Sequence, residues 1–259
     1  MDRHRHLKLK IIIGLALFAV VAVFLTSPIP QDPSYHHFAD QRQIFGIPNF
    51  WNVVSNLPFM VVGLLGLRLV LGGPITGGLP ELRPAYLVFF LGVALIALGS
   101  GYYHLSPSNP TLLWDRLPIT ISFMAFFSII VGENIAGHFG RRMLWPLVFV
   151  GIVSVVYWSA TEVQGNGDLR LYALVQFLPM VLIPVILVLF RSSVSKNGYI
   201  WAVLGAYAAS KVVELQDEAV FRFFGVVSGH FLKHLFAALG TYFFFLALKR
   251  RRLIVAKSQ

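Results

Sequence analysis

Val227-Ser-Gly-His-Phe-Leu-Lys-His-Leu-Phe-Ala-Ala-Leu-Gly-Thr-Tyr-Phe-Phe-Phe-Leu-Ala-Leu248 is long and apolar enough to cross a bilayer, yet it carries His230 and His234 at its entrance. A membrane-spanning helix needs about 20 mostly apolar residues. On such a helix, residues four apart share one face, so both imidazoles can point at one spot. Ionisable groups at membrane depth are costly and mark functional sites by default. A His-x3-His pair is also half of a common metal-binding arrangement, which asks for a third ligand from elsewhere in the chain.

The rest of the chain is similar in character. Hydrophobic residues make up 57% and charged residues 12%, against about 25% charged in soluble domains. Eight segments qualify as spans, at 8–27, 50–72, 84–105, 112–133, 143–160, 170–190, 199–219 and 227–248. The fold expected is an all-α integral membrane protein: a seven-helix transmembrane bundle plus one extra N-terminal transmembrane helix. An even number of spans puts both termini on one side. If that side is cytoplasmic, 15 of the 21 Lys and Arg residues lie on it, the excess that short cytoplasmic loops retain. The other six are Arg42, Arg116, Arg170, Lys211, Arg222 and Lys233. The +10 net charge therefore reads as topology and attraction to anionic lipid. No segment is large enough to present a nucleic-acid surface. With no cysteine, neither a disulfide framework nor a thiolate metal site is available.

Proline and glycine clusters such as Pro107-Ser-Asn-Pro110 and Gly165-Asn-Gly167 make short connections, so neighbouring helices run antiparallel. Residues 1–30 read as an uncleaved signal-anchor, since Thr26-Ser-Pro-Ile-Pro30 lacks a small-x-small cleavage pattern. Residues 31–48 form an outer loop capping the bundle, 49–250 the seven-helix bundle, and 251–259 a basic cytoplasmic tail. His36 and His37 in the loop face apart and read as a solvated pair. No internal repeat is evident, which weakens an inverted-repeat transporter.

Span three ends Leu98-Gly-Ser-Gly-Tyr-Tyr-His104, which places Ser100 and His104 on one face about one turn below the outer mouth. Asp115 follows Pro110 by five residues at the start of span four, about 7.5 Å along a helix. His230 and His234 occupy the first two turns of span eight at the same depth. Three imidazoles, a carboxylate and a hydroxyl thus converge in one layer. Three histidines with an open fourth position is the catalytic zinc pattern. Zinc would lower the pKa of a water and polarise a carbonyl, with Asp115 as proton carrier and Ser100 positioning the water or donating to the oxyanion. The chemistry expected is hydrolysis of an amide or ester. Taken singly, Asp115 beside Arg116 reads equally as an ion pair at a helix start. Lys211, Glu214, Asp217, Glu218 and Arg222 read as a charge network anchoring helices, or as a proton relay. Glu162 and Asp168 read as solvated loop residues.

The motifs Asn49-Phe-Trp-Asn-Val-Val-Ser-Asn-Leu-Pro58, Gly99-Ser-Gly-Tyr-Tyr-His104 with Asp115 eleven residues on, and the final His-x3-His resemble the alkaline ceramidase family. That family lies within a superfamily of seven-helix membrane hydrolases that includes the progestin and adipoQ receptors. The resemblance runs from Asp40 to Leu248. It implies zinc on His104, His230 and His234, contact of Ser100 and Asp115 with the water at the metal, and hydrolysis of the ceramide amide to a sphingoid base and a fatty acid. Eukaryotic members also bind calcium through an acidic N-terminal cluster and a Glu-Phe-Trp-Asn-like motif. Here Asp40 is the single carboxylate of that cluster and Asn49 replaces the glutamate, which argues against a tight calcium site. The short loops resemble a bacterial member, with the site toward the periplasmic face of an inner membrane and a long-chain N-acyl lipid as substrate. The competing readings are a zinc-containing receptor or sensor without turnover, a transporter and a haem protein.

Overall fold

A computed structural model describes residues 3–254 and resolves the apolar segments into helices. These are α1 Arg3–Phe24, α2 Phe50–Val54, α3 Leu57–Leu71, α4 Arg83–Leu105, α5 Asn109–Asn134, α6 Gly137–Val163, α7 Arg170–Leu189, α8 Gly198–Leu215, α9 Asp217–Phe224 and α10 Gly229–Arg250. Among the described residues the extended pairings are two isolated bridges, Ile44 with Ile47 and Val194 with Leu253. Helix starts follow local chemistry. Prolines occupy the first turns of α3, α4 and α5, where the missing N–H has no partner to lose. Ser108 and Thr111 form a reciprocal capping box at α5, and Ser228 caps α10 by accepting from Phe231 N.

Seven stretches are long and apolar enough to cross a membrane: α1, Phe50–Leu71 (α2 and α3), Pro80–Leu105 (with α4), α5, α6, α7 and α10. The segment expected at 199–219 is α8 followed by a turn at Gln216 and the separate short helix α9. It is not among the seven, since Lys211 and Glu214 reduce its mean hydropathy. α5 is the central helix, packed against α4, α6 and α7. α1 lies outside, against α7, with Ile12 its one buried residue. The surface is apolar, with Phe18, Phe149 and Val188 exposed, while Asn52, Ser100, Asp115 and Glu133 are buried. That inversion of the soluble pattern suits a hydrocarbon solvent.

The two ends of the bundle can be told apart by their contacts. At one end, Arg5 donates to the Ile135 carbonyl (2.8 Å), Ser193 N donates to the Glu133 carbonyl (2.7 Å), and Arg251 meets the Glu133 carboxylate. At the other, Arg170 reaches Thr26 O (2.7 Å) and Leu169 N donates to Ile29 O (2.8 Å). Both ends of the described chain therefore lie at one face. Arg251, expected to open a basic tail, instead belongs to the bundle. It is 1% exposed and donates to both Glu133 oxygens (2.9 and 2.8 Å) and to Gly77 O (3.1 Å). The buried carboxylate of α5 draws the guanidinium fork inward, because either charge alone would be costly there. Residues 255–259 of the expected tail lie outside the described residues.

Candidate metal centre

His104 in the last turn of α4 meets His230 and His234 in the first two turns of α10. Each offers a ring nitrogen, and the three atoms lie within 4.8 Å of one another. Ring centroids are 4.9 Å (His104–His230), 5.0 Å (His104–His234) and 4.9 Å (His230–His234) apart, nearly an equilateral triangle. All three rings are buried. His104 Nδ1 and His230 Nε2 have no hydrogen-bond partner, and buried polar atoms are rarely left so without reason. On His234 it is Nδ1 that is engaged, 2.7 Å from Ser55 Oγ. Ser55 Oγ also reaches the Asn52 carbonyl (3.1 Å), and its bond to Nδ1 leaves Nε2 as the free ring nitrogen of His234. Orphaned nitrogens on two rings and an anchored third ring fit a divalent metal held by three imidazoles.

The chain aims these rings through short-range features. Gly229 permits a close approach of α10 to α8, since a Cβ there would overlap the Val213 carbonyl oxygen. Asp217, at the start of α9, accepts from His230 N (2.6 Å) and from Ala39 N (2.9 Å), tying the first turn of α10 to the loop of residues 31–48. Asn49, in the left-handed region at φ 46°, donates from Nδ2 to the His104 carbonyl (2.9 Å), a group that the helix end leaves free. From the same loop, Phe38 lies over the triad, 4.7 Å from His104 and 4.5 Å from His230 between ring centroids. The loop expected to cap the bundle thus contributes an apolar cover.

Ser100 and Asp115 are buried and line one cavity together with His234. The Ser100 hydroxyl faces the Asp115 carboxyl. This closeness depends on Gly99, where a Cβ would overlap the Trp114 carbonyl oxygen, so α4 and α5 touch backbone to backbone. The cavity, about 130 Å³, exceeds the roughly 10–15 Å³ a single water requires. It runs from the polar end into the apolar middle of the bundle, past Ile96, Ile119 and Phe126. Arg116 does not pair with Asp115: it bonds Gln31 Oε1 (2.5 Å) and stacks on Trp158 and Tyr172.

Several expectations about polar residues are corrected. Glu162 and Asp168 are not simply solvated. Glu162 accepts from Gln31 N (2.6 Å) and Trp158 Nε1 (3.2 Å), and Asp168 is buried with Arg170 and Tyr157 as donors. Arg170 holds the Asp168 carboxyl down at about 2. His36 bonds Tyr103 Oη (2.9 Å) and Asn109 Oδ1 (3.0 Å), whereas its neighbour His37 is exposed. Asp40 pairs with Arg42, which continues to the Val226 carbonyl, so Asp40 serves to tie the loop down. Lys211 and Glu214 do pair (2.8 Å), and Lys233 joins them from α10 at 2.5 Å from Glu214. Ser55, Phe38 and Lys233 escaped the sequence reading as site residues. The available signals were the polar run Asn52-Val-Val-Ser-Asn56 and a lysine between two membrane-depth histidines.

The fold and site define a helical protein able to span a membrane, with a buried tri-histidine group beside a cavity that leads into its apolar interior. The sequence model of the Ceramidase family matches residues 45–214 of the 259, and the chain belongs to that family. Membership implies an amidohydrolase acting on a lipid in a membrane. The match takes in Asn49, Ser100, His104 and Asp115 and ends before His230 and His234. No curated protein matches the chain.

Proposed function

We propose that the protein is a zinc-dependent intramembrane amidohydrolase that cleaves the amide of ceramide or a related long-chain N-acyl lipid to a free amine base and a fatty acid. The observation that carries this is the buried triangle of His104, His230 and His234 beside the cavity lined by Ser100 and Asp115. The three histidines would hold the zinc, which supplies a lowered pKa for a water and polarisation of the amide carbonyl. Asp115 takes the proton of the attacking water and delivers it to the amine nitrogen as the C–N bond breaks. Ser100 orients the water or donates to the carbonyl oxygen as it gains charge. The apolar depth of the cavity receives the acyl chain, and Phe38 keeps bulk water from the histidines.

The chain crosses the membrane eight times, with α8 as the seventh crossing. In support, α8 leads from the face bearing Glu133 and Arg252 to the one bearing Asp217 and His230. Both ends of the described chain also lie at the same face, as an even number requires. The distribution of Lys and Arg makes that face cytoplasmic. The histidines then open toward the periplasmic leaflet of a bacterial inner membrane.

Metal analysis of purified protein, with cleavage of a panel of N-acyl lipids, tests the reading. Wild type should bind about one zinc, His230→Ala should lose it, and Asp115→Asn should keep it while losing about 10²- to 10⁴-fold in kcat. Full metal content in His230→Ala would sink the zinc assignment. Zinc binding without cleavage of any amide or ester lipid would make the protein a sensor.

A further inference from the structure

Lys211 and Lys233 share one carboxylate: Lys211 Nζ lies 2.8 Å from Glu214 Oε2, and Lys233 Nζ 2.5 Å from Glu214 Oε1. A clamp between α8 and α10 requires one ammonium for one carboxylate. The second cation is surplus to that role, and a surplus charge inside a bilayer is costly unless something answers it. Both lysines line the cavity that Ser100, Asp115 and His234 also line. Tyr207, one turn before Lys211 on the same face of α8, lines it too, and its buried hydroxyl faces Gln176 on the same wall. The cavity wall thus offers two ammonium groups and a phenol O–H. Asp115, the carboxylate on the same wall, is committed to proton transfer, and a divalent ion on the histidines would add further positive charge.

We infer that Lys211, Lys233 and Tyr207 form a subsite for a carboxylate on the amine portion of the substrate. The preferred lipid is then a long-chain N-acyl amino acid rather than a neutral ceramide. This rests on the amidohydrolase reading above and adds to it the chemical class of the leaving amine. On α10 the cavity-lining positions are Lys233, His234, Ala237, Gly240 and Thr241, one stripe of the helix. They pass from the charged end down the helix, about 12 Å at 1.5 Å per residue. An acyl chain laid along them leaves the amide at the histidines and the carboxylate beside the lysines. The same groups would also meet the carboxylate of a released fatty acid, so the two sources must be separated.

The full-length, metal-loaded protein in detergent micelles would be assayed with N-oleoylglycine, its methyl ester and N-oleoylsphingosine. Binding of N-oleoylglycine, oleate and oleyl alcohol to metal-depleted protein would be measured beside it. The acid should be cleaved with kcat/KM about tenfold or more above its ester, as a charge-assisted hydrogen bond warrants. Lys233→Met should reduce that acid-to-ester ratio about tenfold, mainly through KM, and weaken binding of N-oleoylglycine. Lys211→Met provides the same measurement if Lys233→Met does not fold. Equal rates on acid and ester, unchanged in ratio by either variant, would overturn the subsite and leave the amidohydrolase standing. Weakened oleate binding with an unchanged acid-to-ester ratio would assign the lysines to the product and overturn the substrate class. Lysine-dependent binding of N-oleoylglycine without hydrolysis of any amide would support the subsite and sink the enzymatic reading.

Discussion

Ser55 Oγ sits 2.7 Å from His234 Nδ1 and is itself anchored beside the Asn52 carbonyl at 3.1 Å. The hydroxyl therefore fixes which nitrogen of His234 faces the other two imidazoles. Groups that orient a ligand ring typically change metal affinity 10- to 100-fold when removed. Ser55→Ala should weaken metal binding by about that factor, leaving the helical circular dichroism unchanged. Competition titration with a chelator reads the affinity. An affinity equal to wild type would show that His234 is oriented by packing alone.

Gly99 is the point at which α4 and α5 touch. A methyl group there must displace the Trp114 carbonyl, which carries Asp115 with it on the next residue. Gly99→Ala should lower kcat, by a factor of about 10² if the shift approaches 1 Å, while zinc content stays the same. His104 lies more than a turn further along α4, beyond the contact. Gly101→Ala serves as the control, since nothing lies within 4 Å of a Cβ there. Equal losses in both variants would point to helix propensity rather than to the α4–α5 approach.

At the opposite face, Glu133 and Arg251 are both essentially inaccessible and paired through two hydrogen bonds, with Tyr86 Oη donating to the same carboxylate (2.8 Å). Removing one member strands the other charge, a change that costs about 3–5 kcal/mol in buried pairs. Glu133→Ala should lower the thermal midpoint in detergent sharply. The double variant Glu133→Leu/Arg251→Met should recover much of that loss. If the double variant is no more stable than the single, the cost lies in lost packing rather than in the unpaired guanidinium.

Asp168, in the connection between α6 and α7, is bonded to Arg170, which also holds the end of α1 through Thr26 O. The charge and hydrogen bonds of Arg170 lower the Asp168 carboxyl from its ordinary value to about 2. A carboxyl depressed in the folded state contributes stability above its unfolded pKa and loses it as pH falls through the folded one. Unfolding midpoints should therefore decline between about pH 4 and pH 2. Asp168→Asn should begin lower and flatten that limb. An Asp168→Asn profile parallel to wild type over this range would place the acid sensitivity in other groups.

Much of the scaffold was open to reading from composition alone. Apolar runs of about 20 residues, broken by Pro and Gly, mark helices whatever their neighbours, and seven of the eight expected segments are long and apolar enough to cross. The segment at 199–219 departs because Lys211 pairs with Glu214, Glu214 with Lys233 of α10, and Asp217 with His230 and Ala39, and such contacts are invisible in hydropathy. The histidines were legible because depth along a helix follows from residue count. Ser100 and Asp115 were matched to them in depth, and they do share a cavity with His234. Glu162, Asp168 and Arg251 were misjudged together, since polar residues at segment ends look alike until their partners are known.

Local periodicity determined the helices, their order and the pairs that share a face: Ser100 with His104, and His230 with His234. Those relations depend on 3.6 residues per turn, which each segment carries within itself. Only the tertiary structure decided how far each helix turns about its axis, and hence that His234 meets Ser55, that Lys233 shares Glu214 with Lys211, and that Arg251 folds back onto Glu133. Those contacts join residues far apart in the chain. Backbone approaches at glycines and the satisfaction of buried charges set them, and neither is written in any one segment.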